Sequence, residues 1–170
     1  MKTIILIMAM LMPFALGLSR SIDSQGEPQI TVVKQVELSA DEVWAQLRIM
    51  DNIDQLSSLV SKVDWTGNHG VGGQRVCTAA DGQGYFKESI IAFSDTERTY
   101  TYAVLEGVPA KNMVNNFKVV DLGYQKSMII WTTSFQFMEN PQMDEGQFKG
   151  FLNQSINEMI NNTIKLAEKA

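Results

Sequence analysis

The feature that most constrains this chain is a run of six strand-like segments that no helical pattern interrupts. The segments lie between residues 60 and 137, and short turns rich in Gly, Asp, Ser or Pro separate them. Turns this short join antiparallel neighbours, because a parallel connection needs about a dozen residues or more. The pattern therefore predicts one antiparallel sheet. The segments are VSKVDW, QRVCTAA, YFKESIIAF, RTYTYAVL, NMVNNFKVV and KSMIIWTTSFQF.

Helical patterns precede and follow this run of strands in the chain. Upstream, QITVVKQVEL alternates like a first strand, and SADEVWAQL and DNIDQLSSL have the patterns of two short helices. Ser39 and Glu42 are spaced as a capping box at the start of the first helix. Downstream, one helical pattern runs from about Glu145 to Lys169, which corresponds to roughly 36 Å. Its apolar positions are Phe148, Phe151, Leu152, Ile156, Met159, Ile160 and Ala167.

These patterns predict an α+β fold, with a sheet of about six to seven strands wrapped around the C-terminal helix. Only that helix is long enough to cover the apolar face of the sheet, so we expect Phe151, Ile156 and Ile160 to face it. A twisted sheet that wraps around one helix leaves room for a cavity between them.

The N-terminus has the pattern of a secretory signal peptide over residues 1–17. Lys2 precedes the apolar run TIILIMAMLMPFAL, which is short for a membrane span, and Ala15 and Gly17 suit a cleavage site. Residues 18–28 are polar and predict a linker, and residues 29–170 form the predicted domain. We expect export to a periplasmic or secreted location, with no stable transmembrane segment after cleavage. The alternative is an uncleaved N-terminal anchor.

Composition argues against several classes of protein. The net charge of the 170 residues is -5, and no basic cluster offers a surface for nucleic acid. Cys77 is the only cysteine, so no internal disulfide forms. His69 is the only histidine, and it lies without an obvious partner in the loop GNHGVGG, which precedes a strand rather than a helix. We therefore predict no metal site and no cofactor, and we interpret the loop as the mouth of a pocket.

The pair Asp81–Gly82 is typical of a two-residue type I′ hairpin turn. That turn places Arg75 opposite Glu88. It also places Cys77 opposite Phe86, on a face shared with Ile90 and Ala92. The opposite face is partly apolar as well, so the residues alone leave two alternatives. The Arg75–Glu88 pair is either buried or an exposed salt bridge worth less than about 1 kcal/mol.

The next two strands carry more candidates. Tyr102 shares one side of its strand with Tyr100, and a three-residue turn at residues 95–97 would align both with Glu88, whereas a two- or four-residue turn would reverse them. Asn115 shares an apolar face with Phe117. A buried amide without partners costs about 1–3 kcal/mol, so we expect Glu88, Arg75 or a bound polar group to pair with it.

The last strand aligns Trp131 on one face with Ile129, Thr133, Phe135 and Phe137. Its indole either packs in the core or donates a hydrogen bond to a ligand.

Taken in order, these residues resemble a known family. The stretch VGGQRVCTAADGQGYFKESIIAFSDTERTYTYAVLEGVPAKNM contains a glycine, Arg75, the DG turn, Glu88, Tyr102, a proline and Asn112, and IIWTTSF contributes Trp131. From Gln29 to Ala170 the chain is similar to the polyketide cyclase/dehydrase-like branch of the SRPBCC superfamily, which includes START domains and the birch-pollen allergen. The resemblance implies a helix-grip fold, an inward Arg75–Glu88 pair and an internal pocket. Because the family contains carriers, sensors and enzymes, the resemblance implies no single reaction.

The favoured hypothesis is an exported protein that holds a small apolar or amphipathic ligand in this pocket. The alternative is a cyclase/dehydratase-type enzyme in which Glu88, with Arg75 beside it, acts as the acid/base. A third hypothesis is an interaction protein whose pocket is filled by its own side chains. The sequence contains no signal that sets the oligomeric state. The predicted ligand-binding residues are Arg75, Phe86, Glu88, Tyr102, Asn115, Trp131 and Phe151.

Overall fold

The computed structural model describes residues 27–170, so the predicted signal peptide and most of the predicted linker lie outside the described residues. The chain order is strand, two helices, six strands and one long helix. The elements are β1 (Ile30–Val36), α1 (Ala40–Leu47), α2 (Ile53–Leu56), β2 (Val60–Thr66), β3 (Gln74–Ala79), β4 (Tyr85–Ser94), β5 (Thr99–Glu106), β6 (Ala110–Gly123), β7 (Lys126–Phe137) and α3 (Glu145–Ala167).

The seven strands form one antiparallel sheet in the order β1-β7-β6-β5-β4-β3-β2. The sheet wraps around α3, and the core lies between them, with α1 and α2 packed beside α3. This is the predicted helix-grip fold, and the prediction is confirmed.

Both of the longer helices begin with a capping box. Ser39 accepts a hydrogen bond from the backbone of Glu42, and the Glu42 side chain accepts one from the backbone of Ser39, as predicted. At α3, Asp144 and Gln147 make the same reciprocal pair. The 23 residues of α3 span roughly 35 Å, which is enough to cross the sheet.

The β3–β4 hairpin has the predicted register but a different turn. Arg75 pairs with Glu88, and Cys77 pairs with Phe86. A type I′ turn needs a positive φ at both central residues, whereas of Asp81 and Gly82 only Gly82 has one, at 71°. The loop has four residues, and the backbone bond from Ala79 to Gly84 closes it in the same register.

The β4–β5 hairpin aligns Tyr102 with Ile90 through a β-bulge rather than through a three-residue turn. Ser94 pairs with Thr99, so the loop has four residues, and by itself this would turn Tyr102 away from Glu88. A β-bulge between Ile90 and Ala92 shifts the register by one residue and restores the pairing of Tyr102 with Ile90.

The same bulge moves Ala92 out of the core. The predicted inward orientation of Ala92 is wrong, since the residue is exposed. Phe93 packs inward instead, with its ring centroid 5.9 Å from that of Trp44.

The inward face of α3 differs from the prediction at one residue. Ile156 and Ile160 are buried, as expected, but Phe151 is 39% exposed. Each helical residue turns by about 100°, so the buried positions around Phe148 and Leu152 place Phe151 at the edge of the apolar stripe. Phe151 is therefore not a core residue of the sheet–helix interface.

Candidate ligand-binding site

A cavity of about 90 Å³ lies between the sheet and α3. Strands β3 to β7 provide one wall, while α3 and the segment around α2 provide the other. Every residue that the sequence singled out for ligand binding lines this cavity: Arg75, Phe86, Glu88, Tyr102, Asn115, Trp131 and Phe151. The fold thus brings all seven together, and their contact with a ligand remains a prediction.

The polar part of the wall centres on Arg75, whose side chain is 1% exposed. Nε of Arg75 donates to Oε2 of Glu88, and Nη1 donates to the backbone carbonyl of Met50. The guanidinium carbon also lies 4.7 Å from the centroid of the Tyr102 ring. Burial is the largest single effect and works against the charged form of Arg75. The Glu88 carboxylate together with Tyr100, Tyr102 and Cys77 outweighs it, so the pKa of Arg75 rises above its ordinary value. The predicted inward orientation of the pair is confirmed.

The Met50 contact could not be read from the sequence. Met50 follows α1 and has a φ of 63°, in the left-handed region. Its carbonyl accepts the Arg75 hydrogen bond across 25 positions of the chain. No local pattern signals such a contact, because it depends on how the α1–α2 connection packs on β3.

Asn115 is 2% exposed and has partners other than those expected. Its Oδ1 accepts hydrogen bonds from Oγ1 of Thr133 at 2.7 Å and from Nε1 of Trp131 at 3.2 Å. An indole N–H can only donate, so the amide atom that faces Trp131 must be the oxygen. Neither Glu88 nor Arg75 bonds to Asn115, because the register of β6 and β7 places Asn115 opposite Thr133. Those two alternatives are wrong, and the third, a bound polar group, stays a prediction.

The amide nitrogen of Asn115 differs from the amide oxygen in its hydrogen bonding. Nδ2 is buried and has no hydrogen-bond partner among the described residues. Such a donor costs about 1–3 kcal/mol relative to a satisfied one. The wall of the cavity therefore contains one buried N–H donor that no described residue satisfies.

The remaining titratable groups of the wall are neutral. Burial raises the pKa of the Cys77 thiol to about 12 and holds the pKa of Tyr102 well above its usual range. Cys77 therefore stays a thiol at neutral pH and is a poor nucleophile. Among the described residues that line the cavity, only Arg75 and Glu88 carry charge.

Three apolar side chains form the mouth of the cavity: Phe86, Val108 and Phe151. They line both the cavity and an outer groove of about 550 Å³ that extends along residues 138–143. Gly107 fixes the neighbouring turn, since its φ is 95° and a Cβ there would lie 1.9 Å from the carbonyl oxygen of Tyr85. These mouth residues lie between the cavity and the surface groove.

The glycine-rich loop after β2 is not at this mouth, and the prediction that placed it there is wrong. None of residues 67–73 lines the cavity. His69 has a partner after all, because its Nε2 lies 2.9 Å from Oδ2 of Asp51, and its ring stacks on Trp65 at 4.5 Å. These contacts hold the loop against the α1–α2 connection instead.

Within residues 27–170, no group of three or more His, Cys, Asp or Glu side chains is placed to hold a metal ion. In the same residues, no helix combines the length and the apolar character that a membrane span requires.

Comparisons with solved structures agree with this architecture. XoxI from Bacillus cereus superposes with a TM-score of 0.70 at 17% identity, over 80% of this chain and 92% of its own. Norcoclaurine synthase from Thalictrum flavum, solved with dopamine and hydroxybenzaldehyde, superposes with a TM-score of 0.67 at 19% identity, over 96% of this chain and 98% of its own. At these identities the similarity shows a shared fold. No curated protein sequence matches the chain.

A family model described as polyketide cyclase/dehydrase and lipid transport matches residues 27–165. The match spans every strand and nearly all of α3. The chain therefore belongs to the polyketide cyclase/dehydrase and lipid transport family of the SRPBCC superfamily.

Proposed function

We propose that the protein binds a small amphipathic molecule in the cavity between the sheet and α3. The observation that carries the proposal is the composition of the wall, in which apolar side chains surround a few fixed polar groups. Ligand sites have this character, because apolar surface supplies affinity and a few oriented polar groups supply specificity. The polar groups here are the Arg75–Glu88 pair and the amide of Asn115.

The volumes of the cavity and of the outer groove favour a ligand that extends through the mouth from one into the other. The cavity of about 90 Å³ is smaller than the roughly 300–1,000 Å³ of ordinary ligand pockets. The outer groove of about 550 Å³ begins at the same three mouth residues. A molecule with its polar end inside and its apolar end in the groove would use both spaces.

Native mass spectrometry of protein purified from its own compartment tests the proposal. We expect a retained small molecule in the wild type and its loss in Val104→Phe, which fills the cavity. Leu105→Phe is the matched control, because Leu105 is the next residue of β5 and is 51% exposed on the opposite face. The absence of a retained mass in the wild type, or its persistence in Val104→Phe, would contradict the proposal.

Catalysis at Glu88 is a second candidate, favoured by one observation. The Glu88 side chain lines the cavity with 12% of its surface exposed, while Arg75 holds one of its oxygens in place. A carboxylate so placed could act as an acid/base on a bound molecule. In this case, Glu88→Gln would retain the bound molecule but abolish its conversion, and one limb of the pH–rate profile would disappear.

We also propose that the protein is exported and that residues 1–17 are removed. The support is the order of Lys2, the apolar run and the small residues Ala15 and Gly17. N-terminal sequencing of exported material should begin at residue 18 or a few residues later. A sequence that begins at Met1 would contradict cleavage.

A further inference from the structure

We infer that the ligand of this cavity is uncharged and carries a hydrogen-bond acceptor, such as a carbonyl oxygen, that pairs with Nδ2 of Asn115. The inference rests on the proposed function and narrows the ligand to a chemical class. It follows from two features of the wall: the Asn115 donor has no partner among the described residues, and the charges of Arg75 and Glu88 cancel.

The orientation of the Asn115 amide is determined by its neighbours. Trp131 Nε1 can only donate, and it shares Oδ1 of Asn115 with the hydroxyl of Thr133. Rotating the amide by half a turn would place its N–H group against the N–H group of Trp131. Nδ2 therefore stays on the side of the amide that Trp131 does not contact. A ligand group that meets Nδ2 must therefore accept a hydrogen bond.

Nδ2 of Asn115 is covered by protein atoms. Its accessible surface is below 1 Å², although the residue lines the cavity. The side chains of Met113 and Met159 line the same cavity, and unbranched methionines repack at low cost. A ligand acceptor that reaches Nδ2 as these side chains repack would satisfy the donor, and satisfying an orphaned buried donor contributes to affinity.

The charges of the wall are already balanced. Arg75 is 1% exposed, and it gives its Nε hydrogen bond to Glu88 and its Nη1 hydrogen bond to Met50. A ligand carboxylate would meet the carboxylate of Glu88 in the same small space. Burying an ion without its own counter-ion is costly, so a neutral acceptor is favoured over an anionic one.

Three probes of similar size separate these alternatives: acetophenone, isopropylbenzene and benzoate. The first has a neutral acceptor, the second replaces the carbonyl by a hydrocarbon group, and the third carries a negative charge. Calorimetry should show that wild-type protein binds acetophenone more tightly than the other two. The ratio of acetophenone to isopropylbenzene affinity should fall at least about tenfold in Asn115→Leu.

Asn116→Leu is the matched control. Asn116 follows Asn115 on β6 but faces the other side of the sheet, where its amide donates to Thr99 and Thr101. The affinity ratio should be unchanged in this variant. NMR of the wild type tests the same contact directly and does not depend on the folding of any variant. In ¹⁵N-labelled wild-type protein, acetophenone should shift the side-chain NH₂ signals of Asn115 and isopropylbenzene should not.

The outcomes are distinct. Benzoate binding as tightly as acetophenone, an affinity ratio that survives Asn115→Leu, or an unshifted NH₂ signal on saturation with acetophenone would overturn the inference while the proposed function stands. Binding of none of the three probes to wild-type protein would overturn the inference together with the proposed function.

Discussion

Arg75 and Glu88 lie directly opposite each other on β3 and β4, and Nε of the buried Arg75 donates to Oε2 of Glu88 in the cavity wall. The two side chains are 1% and 12% exposed. Water therefore screens this pair far less than an ion pair on the surface. The pair is neutral as a whole, and each charge depends on the other for its stability inside the protein.

The first prediction concerns the loss of one partner. Glu88→Gln leaves the Arg75 charge buried without its carboxylate and should lower the free energy of unfolding by about 3–5 kcal/mol. Arg75→Met combined with Glu88→Leu should recover much of this loss, because no charge is then stranded. Recovery should be incomplete, since the Met50 carbonyl loses its donor. Urea unfolding of the single and double variants measures both effects.

The matched control is the exposed pair of Lys126 and Glu37, in which the Glu37 side chain is 71% exposed. Glu37→Gln should change the free energy of unfolding by less than about 1 kcal/mol. A coupling energy between Arg75 and Glu88 below about 0.5 kcal/mol would show that the buried pair behaves like the exposed one.

The second prediction separates two phenylalanines of α3. Phe148 is 1% exposed and packs against Phe135 at 5.2 Å, so Phe148→Ala should cost about 3–5 kcal/mol of unfolding free energy. Phe151 is 39% exposed at the mouth, so Phe151→Ala should cost about 1 kcal/mol or less. Chemical denaturation measures both values. Equal losses would mean that Phe151 is a core residue.

Local patterns were sufficient to predict the order of the elements and one register. The alternation of the strands and the capping box at Ser39 act over a few residues, and both are present in the structure. The Asp81–Gly82 signal gave the correct register of β3 and β4, although the turn itself is of a different type. The bulge after Ile90 was not predictable, because it arises where two strands of the curved sheet must keep Tyr102 and Phe93 inside together. The position of Phe151 depends on the rotation of α3 against the sheet, which packing rather than periodicity decides.

The candidate site shows the same division. Strand alternation grouped Asn115 with Phe117, and both face inward. The inward orientation of Glu88 was implied by the family resemblance, and that of Tyr102 was left open because it depends on the bulge after Ile90. Predicting the partners of Asn115 requires the register between β6 and β7. The sequence of the hairpin turn after Gly123 does not determine that register. Predicting the hydrogen bond from Arg75 to the Met50 carbonyl requires the three-dimensional path of the α1–α2 connection. Contacts between distant segments therefore account for most of what sequence reasoning missed.

The third prediction concerns the reactivity of Cys77. The thiolate is the reactive form, and burial raises the pKa of this thiol to about 12, so the native protein should resist iodoacetamide at pH 8. In denaturant, the labelled fraction should follow the unfolded fraction. Cys77 is the only cysteine, so intact mass spectrometry reports each molecule as labelled or unlabelled. Rapid labelling of native protein would show that the cavity opens to reagents without unfolding.

The last prediction concerns stability at alkaline pH. Burial holds the pKa of the Cys77 thiol at about 12 in the folded chain, above the ordinary value of 9.0 that applies when the chain unfolds. The unfolded state therefore loses its proton first as the pH rises, and this loss favours unfolding. The contribution of Cys77 is fully present below pH 9 and is lost as the pH rises from 9 towards 12.

A variant isolates this contribution. Burial also raises the pKa values of Tyr100 and Tyr102, but their ordinary value is 10.0, so they destabilise the folded state mainly above pH 10. Between pH 9 and pH 10, the free energy of unfolding of Cys77→Ala should therefore fall less steeply than that of the wild type. Urea unfolding at closely spaced pH values measures both slopes. Because the variant removes the thiol from both states, parallel slopes would mean that Cys77 titrates in the folded protein as it does in the unfolded chain.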